Sequence, residues 1–323
     1  MVQTKLPRLI IGLPLSLQQL AHQSLNGELH QLLALWPYWL ARRWPLPPSI
    51  LNRVALALLC GSWAATLRDA YLDGEMPAYA GQLSRALGMQ SWRMFVRLGI
   101  SHRLLHALES RMVAAYRHEL AARALDGCWQ PRQLQTLTAQ WVCNRAAGWH
   151  LAQLAPLTLA DLPPADPAWR ALTGALNRLI LARQLRDDAL DLAIDLNAGR
   201  AGWLIRLIAT AIWRDDGPLS PLDRQRIAGR WLLDGGLRQR VAKLHAQLCA
   251  GAAQGLAPYS GALPRLRDVM TAEQQAGQTV FATVPSFDFS ATGAPLRDSF
   301  GTVDAGVERS ASLSQRLLAP DQH

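Results

Sequence analysis

Between Gln184 and Arg200 the chain carries four aspartates in nine positions, Asp187, Asp188, Asp191 and Asp195, and meets no strong helix breaker before Gly199. At about 100° per residue, a helix through this stretch puts Asp187, Asp191 and Asp195 within roughly an 80° arc, with Gln184 between the last two and Asp188 at the edge. One face carries the acids. Followed back toward the helix start, the same face reads Ile180, Leu176 and Thr173, so it is acidic at its C-terminal end and apolar below. The acids also sit at the negative end of the helix dipole, where like charges four residues apart repel by about 0.2–0.5 kcal/mol each. A positive group is needed nearby, unless the face is simply solvated.

A second stretch repeats the pattern. Arg68-Asp69-Ala70-Tyr71-Leu72-Asp73-Gly74-Glu75 closes an apolar run from Ile50 to Leu67, and Asp69 and Asp73 stand above Thr66, Ser62, Leu58 and Ala55. Two helices that each present carboxylates at the C-terminal end of such a stripe can hold Mg²⁺ between them, because a hard cation takes oxygen ligands from a few carboxylates and completes its shell with water and phosphates.

These residues resemble a family. An Asp-rich element in the first third, followed by Gln184-x-x-Asp187-Asp188-x-x-Asp191-x-x-x-Asp195-x-x-x-Gly199-Arg200, looks like the class I isoprenoid synthases: trans-prenyltransferases, squalene and phytoene synthases, and class I terpene cyclases. The resemblance spans Ile50 to Gln274 and is strongest over residues 177–203. It implies an all-α fold, a single large helical bundle or barrel with a central apolar cavity, in which the two acidic motifs face each other and three Mg²⁺ ions grip the diphosphate of a prenyl substrate. Carried over onto this chain, it makes Asp69, Asp73, Asp187 and Asp191 catalytic and Asp69, Asp73, Asp187, Asp188, Asp191 and Asp195 metal ligands. Arg183, Gln184 and Arg200 become substrate-binding residues, with Arg183 alternatively neutralising Asp187. The chain departs from the family at Ala70, where many members have a second aspartate; this leaves Asp69, Asp73 and Glu75 in the first motif and puts metal stoichiometry in question.

The resemblance implies a Mg²⁺-dependent class I terpene synthase that ionises and cyclises a linear prenyl diphosphate. Cyclisation is preferred to chain elongation because the basic Gly-Lys-x-x-Arg patch and the paired arginines after the first motif are missing. Squalene- or phytoene-type coupling and chain-elongating prenyltransfer are the enzymatic alternatives. A catalytically silent helical binding protein is the alternative outside enzymology, and Ala70 is its main support. Trp63, Trp92, Phe95, Trp141, Trp149 and Trp203 are candidates to stabilise a carbocation, each worth roughly 0.5–2 kcal/mol, or else ordinary core residues.

The 323-residue chain is half apolar and only 18% charged, with 12 Trp, which supplies a core and leaves apolar surface for a membrane surface or a second copy. Its net charge of +9 rests on arginine, because Lys5 and Lys243 are the only lysines. Arginine forks suit phosphate groups. Nucleic acid is not the expected partner, since the Arg-rich segments lack interleaved aromatics. Cys60, Cys128, Cys143 and Cys249 are widely spaced and read as buried thiols of a reducing compartment. Arg53 and Arg68 bracket the longest apolar run, and Pro14 interrupts a faint imitation of a signal peptide, so the expected location is cytoplasmic.

The expected organisation is an N-terminal helical cap over 1–49, a synthase-like domain over 50–276 and a disordered tail over 277–323. Helices are expected over Leu15–Leu35, from an N-cap at Ser49 to Asp73, over Tyr79–Leu125 with a break near Gly99, and over Pro131–Leu154. A Pro-rich loop at 162–167 precedes the helix of the second motif; after Gly199 come helices to Trp213 and from Pro221 to Gly251.

Overall fold

A computed structural model describes residues 28–74, 76–123, 128–212, 218–259, 261 and 263–283. The first part of the expected Leu15–Leu35 helix, Glu75, Trp213 and the tail from residue 284 onward lie outside the described residues. The described elements are α1 (Glu28–Leu40), α2 (Pro48–Leu72), α3 (Ala78–Arg97), α4 (His102–Ala121), α5 (Pro131–Gln135), α6 (Ala139–Arg145), α7 (Leu151–Leu159), α8 (Pro167–Asn197), α9 (Trp203–Ile212), α10 (Pro221–Leu233), α11 (Gly235–Leu256) and α12 (Pro264–Ala282). Short 3₁₀ turns precede α7 and follow α11. Among the described residues the only β pairing is an isolated antiparallel bridge between Trp129 and Leu219. The architecture is all-α.

Two helices form the axis of the bundle. α2 is buried almost all round, from Leu51 to Leu67, and packs on α1, α3 and α7. Its seam with α3 depends on small residues: Ser84 donates to the Ala64 carbonyl at 2.6 Å, Ser91 donates to the Ala57 carbonyl at 2.7 Å, and a Cβ on Gly88 would already touch Ala64. By length and hydropathy α2 could also cross a membrane, although arginines bracket its apolar run. Much of that apolar surface is used here to build the core. α8, 31 residues long, starts where Asp166 accepts the Ala168 N–H at 2.8 Å with Pro167 in the first turn, and packs on α11, α12, α9 and α6. One contiguous core runs from Leu32 in α1 to Phe281 in α12.

Several expected boundaries shift for local reasons. The N-cap of α2 is Pro47, with Ser49 already inside the first turn. The expected helix over 131–154 is broken into α5, α6 and a 3₁₀ turn, because Thr138 takes the Trp141 N–H at 3.2 Å and opens a new helix. The helix expected from Pro221 to Gly251 is interrupted at Asp234, whose carboxylate accepts the Leu237 N–H at 2.9 Å and starts α11. α12 continues through residue 277, where the tail was expected to begin, and Phe281 is buried in the core. The break near Gly99 is found: Gly99 has φ 90° and the Ile100 N–H reaches back to the Phe95 carbonyl at 3.0 Å.

Candidate functional site

Both acid-bearing helices stop the same way. α2 ends at Asp73 with Gly74 at φ 75°, and α8 ends at Ala198 with Gly199 at φ 65°. At the end of α8 the Arg200 N–H bonds to the Asp195 carbonyl at 2.9 Å and the Gly199 N–H to the Leu196 carbonyl, a left-handed glycine cap that turns the chain back over the last helical turn. The Gly199 carbonyl is in turn held by the Trp129 indole N–H at 3.0 Å. This turn fixes the backbone of Arg200 beside Asp195. Arg200 and Arg224, whose guanidinium donates to the Leu196 carbonyl at 3.1 Å, supply the positive charge that the helix end requires.

Arg200 also joins the two motifs. Its Nε donates to Asp195 Oδ1 at 3.0 Å and its Nη1 lies 3.3 Å from Asp73 Oδ2, so carboxylates from α2 and α8 share one guanidinium. Asp73 Oδ1 accepts from Arg123 at 2.9 Å, just past the end of α4. Asp69, one turn below Asp73, accepts the Tyr116 hydroxyl at 2.7 Å and faces Arg145 of α6 at 3.5 Å. Arg145 also pairs with Glu119 of α4 at 3.0 Å. The Tyr116 ring lies between two guanidinium groups, Arg68 at 4.4 Å and Arg145 at 5.8 Å from its centroid.

Burial shapes the charges here. It pushes the Asp195 carboxyl up to about 6, against the pull of Arg200, with the negative charges of Asp191 and Asp73 adding to the rise. Burial likewise raises the Glu119 carboxyl, although Arg145 and Arg123 oppose it. The Tyr116 hydroxyl is raised by burial and then by the neighbouring Asp69, so it stays a proton donor to that carboxylate.

The structure rotates α8 relative to the arc expected from its spacing. Asp188 and Asp195, seven residues apart, point inward, whereas Asp187 is exposed and turns to Arg186 at 3.4 Å. Asp188 sits in the interior: Oδ2 accepts the Leu204 N–H at 2.8 Å at the start of α9, and Oδ1 accepts from Gln184 at 2.5 Å. Gly202 leaves it room, since a Cβ there would come within 2.9 Å of both carboxylate oxygens. Burial raises the Asp188 carboxyl to about 7 despite those hydrogen bonds. Asp188, expected as a metal ligand, here caps a helix, and Gln184, expected to bind substrate, donates to it. Arg183 lies at the α8–α12 seam, 3.5 Å from Glu273, where its charge also favours the ionised Asp187 carboxylate, the alternative expected for it; it is not brought to Asp73 or Asp195. Asp191 is exposed at the rim, one turn from Asp195.

Tyr116, Glu119, Arg123 and Arg145 belong to this site and were not anticipated. The first three are spaced three and then four residues apart at the end of α4, so helical spacing of an aromatic, an acid and a base was a usable signal. The expected cation-stabilising aromatics are core residues, with Trp63, Phe95, Trp141 and Trp203 buried and Trp92 and Trp149 packed against them. Among the described residues no group of three or more His, Cys, Asp or Glu side chains is placed to hold a metal ion. Asp69, Asp73 and Asp195 each face a guanidinium, and both Asp188 oxygens accept hydrogen bonds from the protein. Among the described residues, which do not include Glu75, this donor set as arranged does not fit the three-Mg²⁺ grip that the resemblance implies.

No protein-family model matches the chain, and no curated protein matches its sequence. Among solved structures it is similar to the crystal structure of a decaprenyl diphosphate synthase from Rhodobacter capsulatus, with a TM-score of 0.57 and 14% identity, over 88% of this chain and 97% of that one. At that identity the likeness is one of fold, the all-α architecture that the two chains share.

Proposed function

We propose that this chain is an isoprenoid transferase that takes a linear prenyl diphosphate as donor and joins its prenyl group to a second isoprenoid. The single observation that carries the reading is the meeting of Asp73 and Asp195, from helices far apart in sequence, on the guanidinium of Arg200. In an all-α bundle of this type, that pole is where a diphosphate would be received. Arg123, Arg145 and Arg200 offer it forked N–H donors, which bind phosphate oxygens in two-point fashion. Charge leaving with the diphosphate is best stabilised by donors fixed before the reaction, and the turn at Gly199 and the Tyr116–Asp69 bond supply that fixity.

Transfer is placed ahead of cyclisation because the fold is similar to that of a protein titled as a decaprenyl diphosphate synthase; Gln184 through Gly199-Arg200 fits the coupling enzymes as well as the cyclases. A catalytically silent binding protein is the second reading. It is favoured by the guanidinium groups that already engage the carboxylates of both motifs.

The test is incubation of the purified protein with geranyl, farnesyl, geranylgeranyl and geranylfarnesyl diphosphates, with and without isopentenyl diphosphate, in Mg²⁺ and in EDTA. Diphosphate release and product mass are followed. A product longer than its donor supports transfer, whereas a hydrocarbon of unchanged carbon number would make the protein a cyclase. No diphosphate release under any condition would leave the binding protein.

A further inference from the structure

We propose that the guanidinium groups of Arg145 and Arg200 occupy the bridging role of divalent cations at the acidic pole, so that a diphosphate is held there without a metal ion. The inference rests on the reading that this pole receives a diphosphate. Each arginine does what a bridging ion would do, which is to tie carboxylates from separate elements. Arg145 of α6 joins Asp69 of α2 to Glu119 of α4, and Arg200 joins Asp73 of α2 to Asp195 of α8.

Both positions are built into the fold. Arg145 closes the helix of which Trp141 and Val142 are core residues, and the Trp141 indole N–H is anchored on the Ala115 carbonyl of α4 at 2.9 Å. Arg200 is set by the left-handed Gly199 and by Trp129 behind it. Neither residue is a long side chain drifting over an open surface.

Among the described residues, Arg123, Arg145 and Arg200 pair with Asp69, Asp73, Glu119 and Asp195 at the pole, and Arg68 stacks on the Tyr116 ring. Asp188 is spent on the α9 cap, Asp187 is turned to Arg186, and exposed Asp191 lies at the rim. A guanidinium that pairs with carboxylates through its fork presents the same geometry to a phosphate, so an incoming diphosphate exchanges with carboxylates on Arg145 and Arg200. A divalent ion, by contrast, would first have to expel both arginines from the carboxylates it needs.

The experiment is calorimetric titration of the full chain with inorganic diphosphate and with farnesyl diphosphate, in EDTA and in MgCl₂. The expected result is an affinity that changes by less than about threefold between the two conditions and falls by about tenfold or more in Arg145→Gln and in Arg200→Gln, about 1.4 kcal/mol. Circular dichroism confirms that the variants fold. Where a Gln variant does not, Arg145→Lys and Arg200→Lys keep the charge, remove the fork, and are expected to weaken binding. Binding seen only with Mg²⁺ overturns this proposal and leaves the transferase reading intact. Metal-free binding that the arginine variants do not weaken also overturns it. Absence of binding to either ligand in both conditions overturns the transferase reading along with it.

Discussion

α8 serves two ionic clusters of opposite character. On one face it gives a carboxylate, Asp195, to arginines at the pole. On another it gives arginines, Arg183 and Arg186, to the carboxylate of Glu273 on α12, which Arg186 meets at 2.9 Å and His245 of α11 at 3.3 Å. The difference is exposure. Glu273 and His245 are each 1% exposed, whereas Asp73, Asp195 and Arg200 are 21–26% exposed. A buried charge cluster fixes how helices dock, because removing one partner strands the others away from water. A partly solvated cluster contributes less to stability and exchanges partners more readily, which is what a binding site needs.

That contrast can be broken most directly at Glu273. Glu273→Ala is expected to destabilise the protein by about 3–5 kcal/mol, read as a lowered urea midpoint, because Arg183, Arg186 and His245 lose their common partner. A loss below about 1 kcal/mol would mean that water reaches the seam and that the two clusters are alike. Next in size is Gly277→Ala. A Cβ at Gly277 would overlap the His245 ring, so the ring must leave Glu273 or α12 must shift, at about 1–3 kcal/mol by thermal or urea denaturation.

At the pole the expected stability effects are smaller and the functional ones larger. Asp73→Asn should cost less than about 1 kcal/mol, since its ion pairs are partly solvated, yet release Arg200 for an incoming anion and tighten metal-free diphosphate binding severalfold by calorimetry. Unchanged binding would remove Asp73 from the site. A separate expected effect is a change in pH dependence. The Asp188 carboxyl is raised in the folded state, so its contribution to stability is complete below its unfolded value near 3.8 and is lost as pH rises toward about 7. Asp188→Asn cannot ionise, so its melting temperature relative to wild type should rise between pH 5 and pH 8. A constant difference over that range would show that Asp188 ionises freely in the fold.

Much of the architecture was readable from residue spacing. The helices that carry the acids, their stops at Gly74 and Gly199, and the need for positive charge beside Asp195 follow from periodicity, glycine conformation and the helix dipole. The division of labour among the aspartates was not readable. A four-residue spacing drifts by about 40° per step, so Asp187, Asp191 and Asp195 define an arc without saying which edge faces inward. Leu185, Ala189 and Leu192, buried against neighbouring helices, turn the Asp188 edge inward and leave Asp187 to the α12 side.

The amino-acid sequence by itself determined an all-helical chain with two acidic helix ends, because helix period, capping glycines and charge are local properties. Only the tertiary structure decided which groups those acids meet. Tyr116, Arg123 and Arg145 reach Asp69 and Asp73, and Glu119 reaches Arg145, through the packing of α4 and α6. The spacing of Tyr116, Glu119 and Arg123 marks a helix face without naming what it meets; the partner is set by how helices dock, a property of the whole core.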